Sequence, residues 1–229
     1  MIGIVGAMDS EVDGIFAAMT SKEKVSVNNL VFYKGRLFEK DAVIVKCGVG
    51  KVNAALCAQL MILKFGVKKI INTGIAGAVG RGLKIYDFVV STSAVYHDCD
   101  VQFFGYKAGQ VPGMPETFSA DEAMVRAALG AFERTSLAEN HRIVSGLIAS
   151  GDQFIAGKEK KDFIDATFHP QCVEMEGCAI AHTCFVSNVP FVIIRCMSDT
   201  ADDSVRETYS EDTAAKLSCD FLMEVVKSL

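Results

Sequence analysis

No run in these 229 residues reaches the roughly 18 consecutive apolar residues of a membrane helix. The apolar first eight residues carry no basic segment and are broken by Asp9, so no secretory leader is expected. No basic stripe is present. Net charge is −5, and the one cluster, Lys158, Lys160 and Lys161, is diluted by Glu159 and Asp162. Nucleic acid and anionic membranes are therefore not expected as partners. The eight cysteines, at 47, 57, 99, 172, 178, 184, 196 and 219, form no C-x-x-C pair. Cys47 and Cys196 lie in apolar runs, where a free thiol acts as a small hydrophobe, so reduced structural thiols are expected. Neither the G-x-x-x-x-G-K-[ST] phosphate loop nor G-x-G-x-x-G occurs. Internal repeats, low-complexity tracts and linker-like segments are absent too. What remains is a soluble, cytoplasmic chain expected to form a single domain over residues 1–229.

Half the residues are hydrophobic, enough for a sizeable core. Short apolar runs alternate with helical patterns. Residues 2–7, 30–38, 42–47, 69–73, 87–95, 142–149 and 191–197 read as strands. Residues 51–65 carry Val52, Ala55, Leu56, Leu60 and Leu63 as a helical stripe. Ser119-x-x-Glu122 and Thr208-x-x-Glu211 have the spacing of capping boxes, which predicts helices over 119–132 and from 208 to the end. A further helix is expected over 177–185. Continuously apolar strands point to a sheet covered on both faces. Their alternation with helices predicts an α/β fold with a largely parallel sheet, made mixed by the early strand pair.

In open α/β sheets ligands bind beyond the carboxyl ends of the strands. There the sequence places Gly6 to Glu11, Gly74 to Gly77, Tyr96 to Asp100, Ser150 to Ile155, Glu174 to Glu176, and Ser198-Asp199. Each group has a structural reading beside a functional one. Glu11 suits a helix N-terminus. The Gly74 segment suits a packing turn, and Asp199 suits a cap. His97, with Asp98 and Asp100, reads as a hydrogen-bonded structural histidine rather than a metal ligand. Val173-Glu174-Met175-Glu176 resists a purely structural reading, because two acids stand among apolar residues and an unpaired buried carboxylate is costly. In extended chain Glu174 and Glu176 point the same way. Such acids could bind sugar hydroxyls or move protons.

Gly3-Ile4-Val5-Gly6-Ala7-Met8, Glu11, Asn72-Thr73-Gly74, Tyr96-His97-Asp98, Ser150-Gly151-Asp152, Val173-Glu174-Met175-Glu176 and Arg195-Cys196-Met197-Ser198-Asp199 together resemble the bacterial methylthioadenosine/S-adenosylhomocysteine nucleosidases of the nucleoside phosphorylase/hydrolase superfamily. The resemblance implies a three-layer α/β/α core around a mixed, twisted sheet, a homodimer, a small-molecule nucleoside substrate, and no metal or organic cofactor. It implies Glu11 as the base that orients water, with Arg195 nearby to hold it. Asp199 would be the acid at adenine N7, with Ser198 beside it. Met175 and Glu176 would bind the ribose, supported by Glu174. Phe154 would stack on the base, and the Ile155 backbone would pair with it. Ala76 and Gly77 would line the base and sugar pocket, and Met8, Val49 and Tyr209 the sugar and alkylthio pocket. Val101, Phe104 and Met114 would close that pocket from a partner subunit. Ile75 and Tyr209 depart from the small serine and the phenylalanine common in the family.

The implied chemistry resembles glycoside hydrolysis, with two carboxyl groups and a water. Two other readings stand beside it. A purine nucleoside phosphorylase would use phosphate, for which arginine and glycine-rich donors are suited; Asn72 and Thr73 stand where that branch commonly has an arginine. A non-catalytic purine-binding protein would keep the aromatic contact without the acids.

Overall fold

The computed structural model describes all 229 residues except the side chain of Thr208. Ten strands and seven helices follow one another as β1 (Ile2–Gly6), α1 (Asp9–Ala18), β2 (Thr20–Val27), β3 (Leu30–Leu37), β4 (Lys40–Lys46), α2 (Lys51–Phe65), β5 (Lys69–Ala78), β6 (Phe88–Tyr96), β7 (Phe118–Ser119), α3 (Glu122–Phe132), β8 (Ile143–Ser150), α4 (Lys158–Phe168), β9 (Cys172–Glu174), α5 (Gly177–Ser187), β10 (Phe191–Asp199), α6 (Val205–Thr208) and α7 (Glu211–Ser228). All the strands join one mixed sheet, whose longest pairings, β5 with β10 and β6 with β8, are parallel. The helix α2 packs on α5, while α1 and α3 pack on α7. Both sheet faces are thereby covered, as continuously apolar strands such as Phe191–Asp199, buried throughout, require. Phe88, Phe132 and Phe221 form an aromatic cluster with ring centres 5.1–5.4 Å apart.

The strand β5 organises the molecule. One edge carries β10 from Ile70 to Gly77. The other edge is shared: β1 pairs it from Ile2↔Lys69 to Val5↔Asn72, and β9 takes over at Gly77 and Ala78. Among the described residues, no strand pairs that edge between Thr73 and Ala76, so the sheet forks there. On one side of the fork it runs β1–β4–β3–β2; on the other, β9, β8, β6 and β10 lead back to β5.

Several expectations shift. The strand expected over 69–73 continues through the glycine segment to Ala78, because β10 and β9 hold those small residues extended. Ser198 and Asp199 belong to β10 rather than following it. Ser119 pairs with Ser93 in β7 and caps nothing; Asp121 caps α3, its side chain accepting from Met124 N at 2.9 Å. The capping role read for Thr208 lies outside the described residues, and α7 begins at Glu211 after Ser210. Several elements were not read from the sequence. The strand β2 is an edge strand whose Thr20–Lys24 portion is exposed and polar, lacking apolar alternation. The helix α4 buries only Ile164, and the short α1 buries Glu11, Val12 and Ile15.

Candidate active site

A cavity of about 240 Å³ opens at the fork of the sheet. On one side it meets the β1–α1 turn through Met8 and Glu11, and the turn after β4 through Val49. Its floor is the β5 edge at Ala76 and Gly77. Glu174, Met175 and Glu176 descend from the β9–α5 junction, and Ser198 and Asp199 from the end of β10. Phe154, Ile155 and Tyr209 complete the lining. The structure therefore gathers thirteen of the expected residues round one cavity. Ala7, Ile75, Gln153 and Val173 also line it. Ala7, Ile75 and Gln153 fall in the segments expected at the ligand edge, and Val173 precedes the expected Glu174.

Four expected residues lie elsewhere. Arg195 is buried beneath the wall, 2% exposed. Val101, Phe104 and Met114 are absent from this chain's cavity lining; Phe104 is exposed, and Met114 packs on the main core.

Glu11 is the third residue of α1 and is buried. Its Oε2 accepts from Ala7 N at 2.6 Å and Met8 N at 3.1 Å, and Oε1 accepts from Ile75 N at 2.9 Å, on the β5 edge left free by the fork. The helix-terminus and site readings thus describe one arrangement. A Cβ on Gly74 would lie 2.3 Å from Glu11 Oε1, so only glycine leaves room for the carboxylate. Burial raises the pKa of Glu11, against the Arg195 charge and the three N–H donors.

The sequence reading had Arg195 holding Glu11; the structure gives it other partners. Its Nη2 pairs with Glu174 Oε2 and donates to Asn72 Oδ1 at 2.6 Å, while Glu176 Oε2 lies 3.8 Å away. Glu174 wins because it also accepts from Ser150 Oγ, from Gly177 N at 2.7 Å and from Glu176 N at 3.0 Å. Burial would raise its pKa, but Arg195 and these donors hold it below the usual value. Glu176 has fewer partners: Gly50 N donates to Oε1 at 2.8 Å. Burial, then the charge of Glu174, pushes its pKa up to about 8. The two acids do share one side, but not by strand alternation: the chain leaves β9 at Glu174, and Glu176 precedes α5 with φ −132° and ψ −39°.

Asp199 lines the same cavity. Its Oδ2 accepts from Ser198 Oγ at 2.7 Å and Oδ1 from Ala201 N at 2.8 Å. Burial raises its pKa, against both hydrogen bonds. Phe154 and Tyr209 meet edge to face, ring centres 5.9 Å apart. The Tyr209 hydroxyl donates to Glu211 Oε2 at 3.0 Å, and Ser10 Oγ donates to Glu211 Oε1 at 3.1 Å.

His97 departs from its expected role. It is buried, its pKa lowered by burial, and its Nε2 has no hydrogen-bond partner among the described residues. The ring instead packs on Gly151, where a Cβ would lie 2.4 Å from it. Asp98 turns away to Lys51. All eight cysteines are free thiols.

Comparison with known proteins agrees with this geometry. The phosphorylase superfamily profile matches residues 1–227. The 5′-methylthioadenosine/S-adenosylhomocysteine nucleosidase of Actinobacillus succinogenes is 41% identical over 231 residues, covering 100% of this chain and 99% of its own. The crystal structure of the corresponding Neisseria meningitidis nucleosidase with methylthio-immucillin-A superposes with a TM-score of 0.95 at 39% identity, covering 100% of this chain and 99% of that one. The Colwellia psychrerythraea nucleosidase in complex with adenine gives a TM-score of 0.95 at 38% identity, covering 100% and 95%. With a fork-seated acid cluster and full-length likeness of this degree, the chain belongs to the phosphorylase superfamily and, within it, to the 5′-methylthioadenosine/S-adenosylhomocysteine nucleosidases.

Proposed function

We propose that this cavity hydrolyses the N-glycosidic bond of 5′-methylthioadenosine and S-adenosylhomocysteine, with water as the nucleophile. The observation that carries the choice of water is the charge of the wall. Among the described lining residues stand four acids, Glu11, Glu174, Glu176 and Asp199, and no Lys, Arg or His. Arg195, buried against these acids, is occupied by Glu174 and Asn72. A phosphate dianion would find no counter-charge there, whereas a neutral water would find a base.

In this reading the adenine lies against Phe154 and the Ile155 backbone, beneath Asp199. As the carbon–nitrogen bond breaks, Asp199, with Ser198 beside it, gives a proton to N7, and the ribosyl carbon gains positive charge. Glu11 takes a proton from the water, whose oxygen forms the new bond to that carbon. The ribose hydroxyls bond to Glu176, with Met175 beneath the ring and Glu174 fixing the loop. Met8, Val49 and Tyr209 surround the 5′-alkylthio group, and Ala76 and Gly77 line the floor. The products are adenine and methylthioribose or S-ribosylhomocysteine.

The same reading makes the chain a cytoplasmic enzyme that works as a homodimer, with Val101, Phe104 and Met114 of one subunit closing the pocket of the other. Its support is exposed apolar surface: Phe103 and Phe104 beside the pocket-closing segment, and Val52 and Leu56 on α2. The experiment is a product assay on purified protein with methylthioadenosine, with and without phosphate. Adenine and free methylthioribose are expected, at a rate insensitive to phosphate. Phosphate-dependent methylthioribose 1-phosphate, detected by mass spectrometry, overturns the hydrolase reading. A fully active monomer in analytical ultracentrifugation overturns the shared pocket.

A further inference from the structure

Three loops are tied together beside the cavity by residues that do not line it. Lys51 opens α2, and its Nζ lies 2.6 and 2.8 Å from the two carboxylate oxygens of Asp98, just after β6. It also lies 3.6 Å from Asp152 Oδ2, just after β8. Two backbone bonds reinforce the cluster. Lys51 N donates to Asp152 Oδ1 at 2.9 Å, and Asp152 N donates to Asp98 Oδ2 at 2.8 Å. The ammonium stands 5.3 Å from the centre of the Tyr96 ring. Partly exposed ion pairs of this kind contribute little to stability. Their place in the chain is another matter.

The residue before Lys51 is Gly50, whose N–H donates to Glu176 Oε1 at 2.8 Å. The turn that carries it is soft by sequence. Gly48 and Gly50 both have positive φ, +86° and +102°, and Gly50, as N-cap, has no side chain of its own to cap α2. A glycine accepts such a conformation without selecting it, so neighbouring groups must fix the turn: Asn53 Nδ2 holds Val49 O at 2.7 Å, and the contacts of Lys51 hold the residue after Gly50. Lys51 is the first residue with a side chain long enough to do so, and it is fixed at three points. Glu176, for its part, needs that donor. It is buried beside Glu174 and Glu11 with Arg195 taken by Glu174, and the Gly50 N–H favours its charged form.

We propose that Lys51, clasped by Asp98 and Asp152, is a positioning residue that holds the Gly50 N–H on Glu176 and so aims the Glu176 carboxylate at the ribose hydroxyls. The inference rests on the ribose-site reading above and adds to it a residue that never touches substrate.

A double-mutant cycle tests it, because residues acting through one another fail to add. Steady-state kcat and KM for methylthioadenosine are measured for the parent, Lys51→Met, Glu176→Gln and the double variant. Lys51→Met should lower kcat/KM at least tenfold in the parent background and less than twofold in the Glu176→Gln background. Lys51→Arg should restore most of the activity, since a guanidinium can bridge both aspartates. Asp98→Asn cuts the clasp from its other end and should show the same coupling to Glu176; it carries the test if Lys51→Met fails to fold. Tenfold losses in both backgrounds, or parent kinetics in Lys51→Met, overturn the clasp while leaving the ribose site standing. Parent kinetics in Glu176→Gln overturn the ribose site, and the clasp falls with it.

Discussion

On the proposed sugar side of the cavity, Glu11, Glu174 and Glu176 sit at strand ends and helix starts, with Arg195 beneath them from the middle of β10, and all are buried. On the proposed base side, Phe154 and Tyr209 come from connecting segments and stand 56% and 40% exposed. The difference follows from what each wall must do. A buried carboxylate is tolerable only if donors reach it in fixed directions, and strand ends and helix N-termini supply backbone N–H groups in such directions. Glu174 takes two from the start of α5, and Glu11 takes one from β5 and two from the turn before α1. An aromatic face needs only to be near a base and shielded on one side, which a loop can manage. Asp199 joins the two designs: it ends a buried strand, but its donors are Ser198 and Ala201, next to it in the chain.

If this contrast is right, substitutions on the sugar side should damage the fold, and those on the base side should damage catalysis or binding alone. Arg195→Met is the strongest attempt to break it. It leaves Glu174 and Glu176 buried without a cation and should cost about 3–5 kcal/mol of stability, read by urea unfolding. A loss below about 1 kcal/mol, the scale of an exposed ion pair, would show that the buried charge cluster is not what holds that wall.

Asp199→Asn should do the opposite. Turnover should fall at least 10²-fold, about 3 kcal/mol of barrier, while the urea midpoint stays close to the parent's. The pH profile sharpens the assignment. A general acid must carry its proton, and burial raises the pKa of Asp199, so activity is present below that raised value and lost as pH rises through it. The amide of the Asp199→Asn variant has no proton to lose in this range, so that alkaline limb should vanish from its kcat profile. An unchanged limb would assign it to another group.

The smallest effect is expected at the rim. Tyr209→Phe removes the hydroxyl bond to Glu211 but keeps the ring that meets Phe154. A partly exposed hydrogen bond contributes about 0.5–1 kcal/mol. KM for methylthioadenosine should rise two- to threefold, with kcat unchanged. A tenfold fall in kcat would place Tyr209 in the chemistry rather than at the pocket's edge.

Much of this was legible in the chain. Residues 191–197 are apolar without interruption save Arg195, and such a run in a strand must be covered on both faces, as β10 is. The acids of the Val173–Glu176 segment stood out because apolar neighbours make their burial costly. By contrast β2 was illegible, since an exposed edge strand has no reason to alternate, and α4 was hidden by a surface that buries only Ile164. The Ser119 cap was misread because the strand pairing with Ser93 claims that residue, leaving Asp121 to cap α3.

Sequence by itself determined the covered α/β sheet, the edge where polar residues collect, and the identity of the acids, because periodicity and the cost of burying charge act over a few neighbouring residues. Only the tertiary structure decided which partner each acid takes. Arg195 meets Glu174 from 21 positions away, Asn72 meets Arg195 from 123, and Gly50 meets Glu176 from 126. Local spacing carries no record of such pairings. They arise where β1 stops pairing with β5 before β9 begins, which leaves the Ile75 N–H free for Glu11 and opens the space in which the acids converge.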